Sequence, residues 1–216
     1  MADASFEEIK QQIREWIQCD YIVPEDIPSI ELYMDQVTTF MDKNLSKNKR
    51  TEDDKTLTKT MINNYTKNGL LPPPEKKKYS KNHIIFLIYI YYLKNFISIS
   101  DIKDLLTPMI DTYYDPENLQ APEIFDIYNT MFHLEQEHYQ TIKKSAWATY
   151  DVAAKAFPDS DDAEDEYLRN FAYITLLSYD IYLKKQIIEK IIDDMTPDDQ
   201  TTSKKKKEKT TTKKSS

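Results

Sequence analysis

Residues 56–106 read TLTKTMINNYTKNGLLPPPEKKKYSKNHIIFLIYIYYLKNFISISDIKDLL. The spacing predicts a short helix, an abrupt stop, a basic connector, an apolar helix and a second short helix. Thr58 is suited to cap the first helix, because its hydroxyl can accept an orphan amide of the first turn. Met61, Ile62 and Tyr65 make a narrow apolar face. The other side carries Lys59, Thr60, Asn63, Asn64 and Lys67. Asn pairs bidentately with adenine in the major groove, and Lys reaches guanine or phosphate. Gly69, the only glycine of the chain, stands where a left-handed residue ends a helix. Pro72, Pro73 and Pro74 forbid its continuation.

Lys76, Lys77, Lys78 and Lys81 follow, a cluster suited to phosphate contact. Ser80 can cap the next helix, in which Ile84 to Leu93 is apolar almost all round and therefore belongs inside. Phe96, Ile97 and Ile99 continue the core. Ser98 or Ser100 caps a last short helix with Ile102, Leu105 and Leu106 on its buried side.

The pattern resembles the MerR family of bacterial regulators at Tyr65, Gly69, Leu70, Leu71, Pro73, Tyr79, Ser80, Ser98, Asp101, Ile102, Leu105 and Leu106. More closely, Ile30 to Leu106 resembles a bacterial family, domain of unknown function eighteen-thirty-six, through LYMDQV, LTKTMINNY, LLPPPEKKKYS and SISDIKDLL. The MerR resemblance implies a winged helix-turn-helix. Its DNA contacts would come from Lys59, Thr60, Asn63, Asn64, Tyr65, Lys67, Lys76, Lys77, Lys78, Tyr79 and Lys81. Three departures stand out. Asn63 and Asn64 replace the Arg and Tyr usual in MerR proteins. The wing stretch Leu71 to Tyr79 lacks glycine, which leaves a hairpin and a basic loop both open. Ser46 to Thr56 is a polar insertion where a tight turn is usual.

Charge is unevenly spread. The net charge of −8 divides into −5 over 1–28, +4 over 29–106, −13 over 107–200 and +6 over 201–216. An acidic body beside a basic unit would repel DNA from all but one face. The single cysteine, Cys19, excludes an internal disulfide framework and any cysteine-rich zinc module. The start is polar and acidic, unlike a signal peptide, and Ile84 to Leu93 is too short to span a membrane. A cytoplasmic, nucleoid-associated protein is expected.

Outside the DNA-reading unit, Ser5 to Gln18 has Phe6, Ile9, Ile13, Trp16 and Ile17 on one stripe, predicting an amphipathic helix that packs on the unit. Leu32 to Leu45 is expected to be the first helix of the helix-turn-helix. Ser46 to Lys55 reads as a solvated loop, with Lys47, Lys49 and Arg50 as alternative phosphate contacts. After a proline-marked boundary near Thr107 to Pro122, Glu123 to Phe157 and Glu166 to Met195 predict two long helices in an antiparallel hairpin. The hairpin is expected to serve homodimerisation or to hold a small-molecule or protein effector. Phe125, Tyr128, Phe132, Trp147 and Tyr179 are the aromatic candidates there, with core packing the plainer role. Residues 196–216 are low in complexity and cannot build a core.

The expected organisation is thus an all-α chain. It comprises an amino-terminal segment (1–28), a MerR-like winged helix-turn-helix (29–106), an acidic dimerisation or sensor hairpin (107–195) and a Lys/Thr/Ser tail (196–216). No cofactor, metal or enzymatic activity is expected. His133 and His138 are five apart, off a shared helix face, and one glycine cannot build a phosphate loop. Double-stranded DNA is the expected partner. The competing function is a non-enzymatic adaptor that keeps the architecture without binding DNA.

Overall fold

The computed structural model describes residues 11, 15, 21–46, 49, 51, 54, 56–114, 123–157 and 163–196, with side chains in the last segment from 166 onward. The elements in chain order are β1 (Leu32–Tyr33), α1 (Met34–Leu45), α2 (Lys59–Lys67), β2 (Lys78–Tyr79), α3 (Lys81–Leu93), α4 (Ile99–Tyr113), α5 (Ile124–Ala156) and α6 (Ala163–Met195). The molecule is mostly helical, as the apolar periodicities require. The expected amphipathic helix over Ser5 to Gln18 and the tail after Thr196 lie outside the described residues.

The core is assembled around α3. Ile84, Ile85, Phe86, Leu87, Ile88 and Ile90 are all essentially inaccessible, which a helix apolar on every side demands. Val37, Met41 and Leu45 of α1 pack on it, as do Ile62 and Tyr65 of α2 and Ile102 and Leu106 of α4. Ile124 and Tyr128 of α5 and Ile192 of α6 close the cluster. The Tyr128 hydroxyl donates to the Ile22 carbonyl at 2.5 Å, across 106 positions of sequence.

Two short strands tie the ends of the α1–α2 unit together. β1 and β2 pair antiparallel, with Leu32 opposite Tyr79 and Tyr33 opposite Lys78. The inserted segment between α1 and α2 is anchored at Asp42. Lys49 bonds its carboxylate at 2.7 Å and the Thr56 hydroxyl donates to it at 3.2 Å. The Lys49 hydrogen bond, chiefly, holds the Asp42 carboxyl below its ordinary range, against some desolvation. Lys49 is therefore engaged with protein; Lys47 and Arg50 lie outside the described residues.

Ser98, rather than Ser100, caps α4. Its Oγ accepts the Asp101 amide at 3.1 Å while Asp101 Oδ2 accepts the Ser98 amide at 3.3 Å, a reciprocal capping box. The helix then runs to Tyr113 with Pro108 inside it, beyond the boundary read at Leu106. Proline removes one amide donor but leaves the flanking turns able to continue when the helix face is packed. Here Met109, Ile110 and Tyr113 pack against the core beyond Pro108.

α5 and α6, 33 residues each, form the expected antiparallel hairpin. Tyr173, early in α6, donates to the Ala146 carbonyl at 3.2 Å and meets the Tyr150 ring edge-on at 5.3 Å. Ile192, late in α6, joins the core beside the start of α5. The five aromatic candidates do not gather. Tyr128 is buried, Phe125, Phe132 and Trp147 are half-buried, and Tyr179 faces outward. Among the described residues no helix is long and apolar enough to cross a membrane.

Candidate nucleic-acid interface

α2 is fixed from beneath and at both ends. Thr58 accepts the Met61 amide at 3.2 Å, the predicted cap. Ile62 and Tyr65 are buried and root the helix in the core. At the far end Leu70 donates to the Tyr65 carbonyl at 2.9 Å and Gly69 to that of Thr66 at 3.1 Å. Gly69 takes a φ of +67°. This is a Schellman closure, with Leu70 buried beside Tyr65. From α4, Lys103 Nζ reaches the Asn68 carbonyl at 2.9 Å, a cation at the negative end of the α2 dipole.

The outward face then consists of Lys59, Thr60, Asn63, Asn64, Lys67 and Asn68, all exposed. Five of these are the predicted contacts of the helix. Lys59 is ion-paired with Asp35 at the start of α1. Such exposed pairs contribute little and exchange readily for another anion. Tyr65 and Tyr79, also predicted to touch DNA, are instead buried beneath the surface. Their rings are needed by the core, and burial raises both hydroxyl pKa values. They support the face rather than form it.

The wing is a tight turn. Lys78 donates its amide to the Glu75 carbonyl at 2.8 Å. Between them Lys76 and Lys77 both take left-handed backbone, with φ of 47° and 66°. Positive φ at both central positions marks the mirror-image hairpin turn that normally calls for Asn-Gly. The turn exists without glycine, at a steric cost of about 1–2 kcal/mol for each such residue. It holds the Lys76 and Lys77 side chains exposed at its tip. Lys78, just behind, lies 3.5 Å from Glu31. Lys81 sits over the Phe125 ring, 3.0 Å from its centroid. Lys81 thus joins α3 to α5. At the exposed tip Lys77 stands beside Lys76, which lies 3.8 Å from the Glu75 carboxylate.

His83 is the residue that sequence reasoning passed over. It is 2% exposed. Its Nδ1 accepts the Ser80 amide at 3.0 Å, with Ser80 Oγ 2.8 Å from the same atom. The Tyr114 hydroxyl lies 3.1 Å from Nε2, and the Tyr79 and Tyr114 rings meet the imidazole edge-on at 5.4 and 5.3 Å. Burial pushes its pKa down, opposed by the Pro72 and Pro73 carbonyls and the charge of Glu31. One neutral imidazole therefore links the proline stop, the wing strand, the cap of α3 and the end of α4. A Ser-x-x-His start to an apolar helix was the available signal.

His133 and His138 are exposed on α5. No group of three or more His, Cys, Asp or Glu with metal-holding geometry occurs among the described residues. In the Tyr89, Tyr91 and Tyr92 run, Tyr91 is buried and the others half-buried, in keeping with core packing. The Tyr89 hydroxyl is buried without a hydrogen-bond partner among the described residues. Burial, with the nearby Glu135, pushes its pKa up to about 12.

No curated protein and no solved structure matches the chain. A family match spans residues 22–131 of the 216, beginning at Ile22, whose carbonyl accepts from Tyr128, and taking in the whole α1–α4 unit. The chain belongs to the family described as Domain of unknown function (DUF1836).

Proposed function

We propose that the protein is a sequence-specific DNA-binding transcriptional regulator with a MerR-like winged helix-turn-helix. In this reading α1 and α2 are the helix pair, α2 enters the major groove, and Asn63 and Asn64 contact bases. Lys59 and Lys67 flank them, and Lys76 and Lys77 meet phosphate from the wing tip. The supporting observation is the outward polar face of α2, exposed while Ile62 and Tyr65 beneath it are buried. A solvent-facing row of Asn and Lys on a rigidly capped helix costs nothing to hold ready and matches the donor and acceptor pattern of base edges. One such helix reads only a few base pairs, so useful specificity calls for two copies on a two-fold site. The protein would then act in the cytoplasm, on the nucleoid.

The test is retention of genomic fragments in a gel and by fluorescence anisotropy, repeated at rising salt. Binding should weaken with a log–log salt slope of about 0.9 per neutralised phosphate. Asn63→Ala with Asn64→Ala should erase sequence preference while non-specific retention persists. If preference is unchanged, α2 is not the recognition helix.

A second reading is favoured by the ion pairs Lys59–Asp35 and Lys78–Glu31, which neutralise two of the expected DNA contacts. The protein would then be a non-enzymatic adaptor holding a partner protein. Absence of DNA retention at low salt, together with a stable protein complex, selects it.

A further inference from the structure

The hairpin carries most of the exposed large apolar side chains of the described residues. Of the large apolar side chains that face solvent, twelve lie on α6 and four on α5, with four elsewhere. Every residue from Ser178 to Ile188 is exposed, so no side of this stretch of α6 is buried.

The apolar positions are ordered. Tyr167, Ile174, Ile181, Ile188 and Met195 recur every seven residues and are 39–66% exposed. That is one seam position of a helix pair. Leu176, Tyr179 and Leu183 are exposed too, and at 100° per residue they fall on the opposite side. A helix apolar on two opposite sides requires neighbours on both. α5 is one 33-residue neighbour, and a second hairpin supplies two more.

The surface is of the right size and charge to pair with itself. Twelve half-exposed side chains of this bulk offer on the order of 1,000 Å² per copy, or about 2,000 Å² for a pair, enough for a stable dimer. Single monomers rarely expose a patch above about 300–600 Å². Although residues 107–200 carry −13, residues 167–192 hold four bases and two acids, and residues 124–156 hold four acids and three bases. The excess acid sits at the turn and the ends, not along the shafts. Within α6, Lys184 pairs with Asp180 and Lys185 with Glu189, so the shaft of one copy meets no like-charged wall on another.

We infer that α6 docks against the α5–α6 hairpin of a second copy of this chain, making a four-helix bundle centred on the exposed stretch from Ser178 to Ile188. The inference rests on exposure and charge alone and stands apart from the DNA-binding proposal.

The test is the mass of the full chain in solution without DNA, by sedimentation and by light scattering across a micromolar dilution series. The expected result is twice the 25.6 kDa of one chain. Ile181→Glu with Ile188→Glu, and separately Leu183→Glu with Ile187→Glu, should each give monomers that keep their far-ultraviolet helix signal. In the unaltered chain, amide exchange over residues 178–188 should slow as concentration rises, a readout independent of whether the variants fold. A monomer at every concentration overturns the inference, whether α6 is then covered by the chain's own residues 1–20 or by another protein. So does exchange that ignores concentration, or a dimer that survives both double substitutions.

Discussion

Lys103 of α4 holds its ammonium 2.9 Å from the main-chain carbonyl of Asn68, the residue that caps the end of α2. The same ammonium lies 3.4 Å from where a Cβ on Gly69 would stand. The end of the candidate recognition helix is therefore set by a left-handed glycine and by a cation from another helix.

Gly69→Ala should destabilise the protein by about 1–2 kcal/mol, the cost of a left-handed L-residue. The lysine can swing aside, so sterics add little. Lys103→Met should cost no more than about 0.5–1 kcal/mol, the worth of a cation at an exposed helix end. Urea denaturation of both variants separates the two. Equal losses would mean that the lysine, not the backbone, sets the helix end.

At the wing, Lys76→Asn with Lys77→Gly should raise stability while lowering DNA retention. The new pair adopts positive φ without the steric cost of lysine, a gain of about 1 kcal/mol or more. Two exposed cations vanish at the same time. A thermal melt and a salt-dependent retention assay should move in opposite directions.

Neighbouring positions on α2 should behave quite differently. Ile62 is wholly buried, so Ile62→Ala should cost about 2–5 kcal/mol. Asn63 is exposed, and Asn63→Ala should stay within about 0.5 kcal/mol of the parent. On the proposed reading its effect falls on DNA binding instead. Equilibrium unfolding measures the first, and binding at matched folded fraction the second.

Acidification should loosen the junction at His83. Its folded pKa lies below the 6.5 of a free histidine, chiefly through burial. Between those values the unfolded chain binds a proton that the folded one refuses, so stability falls as pH drops below about 6.5. Glu135, whose carboxyl is raised by burial, pulls the other way at lower pH. His83→Gln should flatten the part of the profile just below 6.5. Thermal melts stepped through that range compare the two chains.

What could be read from the sequence were features written in local chemistry. Thr58, Gly69 and Ser98 cap or end their helices as their side chains or lack of one dictate. The long hairpin follows from sustained apolar spacing. The wing turn escaped because its left-handed lysines carry no glycine signal. The length of α4 escaped because Pro108 looks like a stop until the packing of Met109 and Ile110 is known. Of the candidate site, the helix face was legible from alternation of polar and apolar residues. The burial of Tyr65 and Tyr79, and the bridging by His83, depend on contacts between distant segments.

The Tyr128–Ile22 hydrogen bond bears on how the molecule is made. Ile22 is synthesised more than a hundred residues before its donor. During translation the segment around Ile22 must wait, unsealed, until the start of α5 has cleared the ribosome. Chains cut short before Tyr128 should leave that stretch open to proteases, and the emergence of α5 is the step that locks the nascent domain shut.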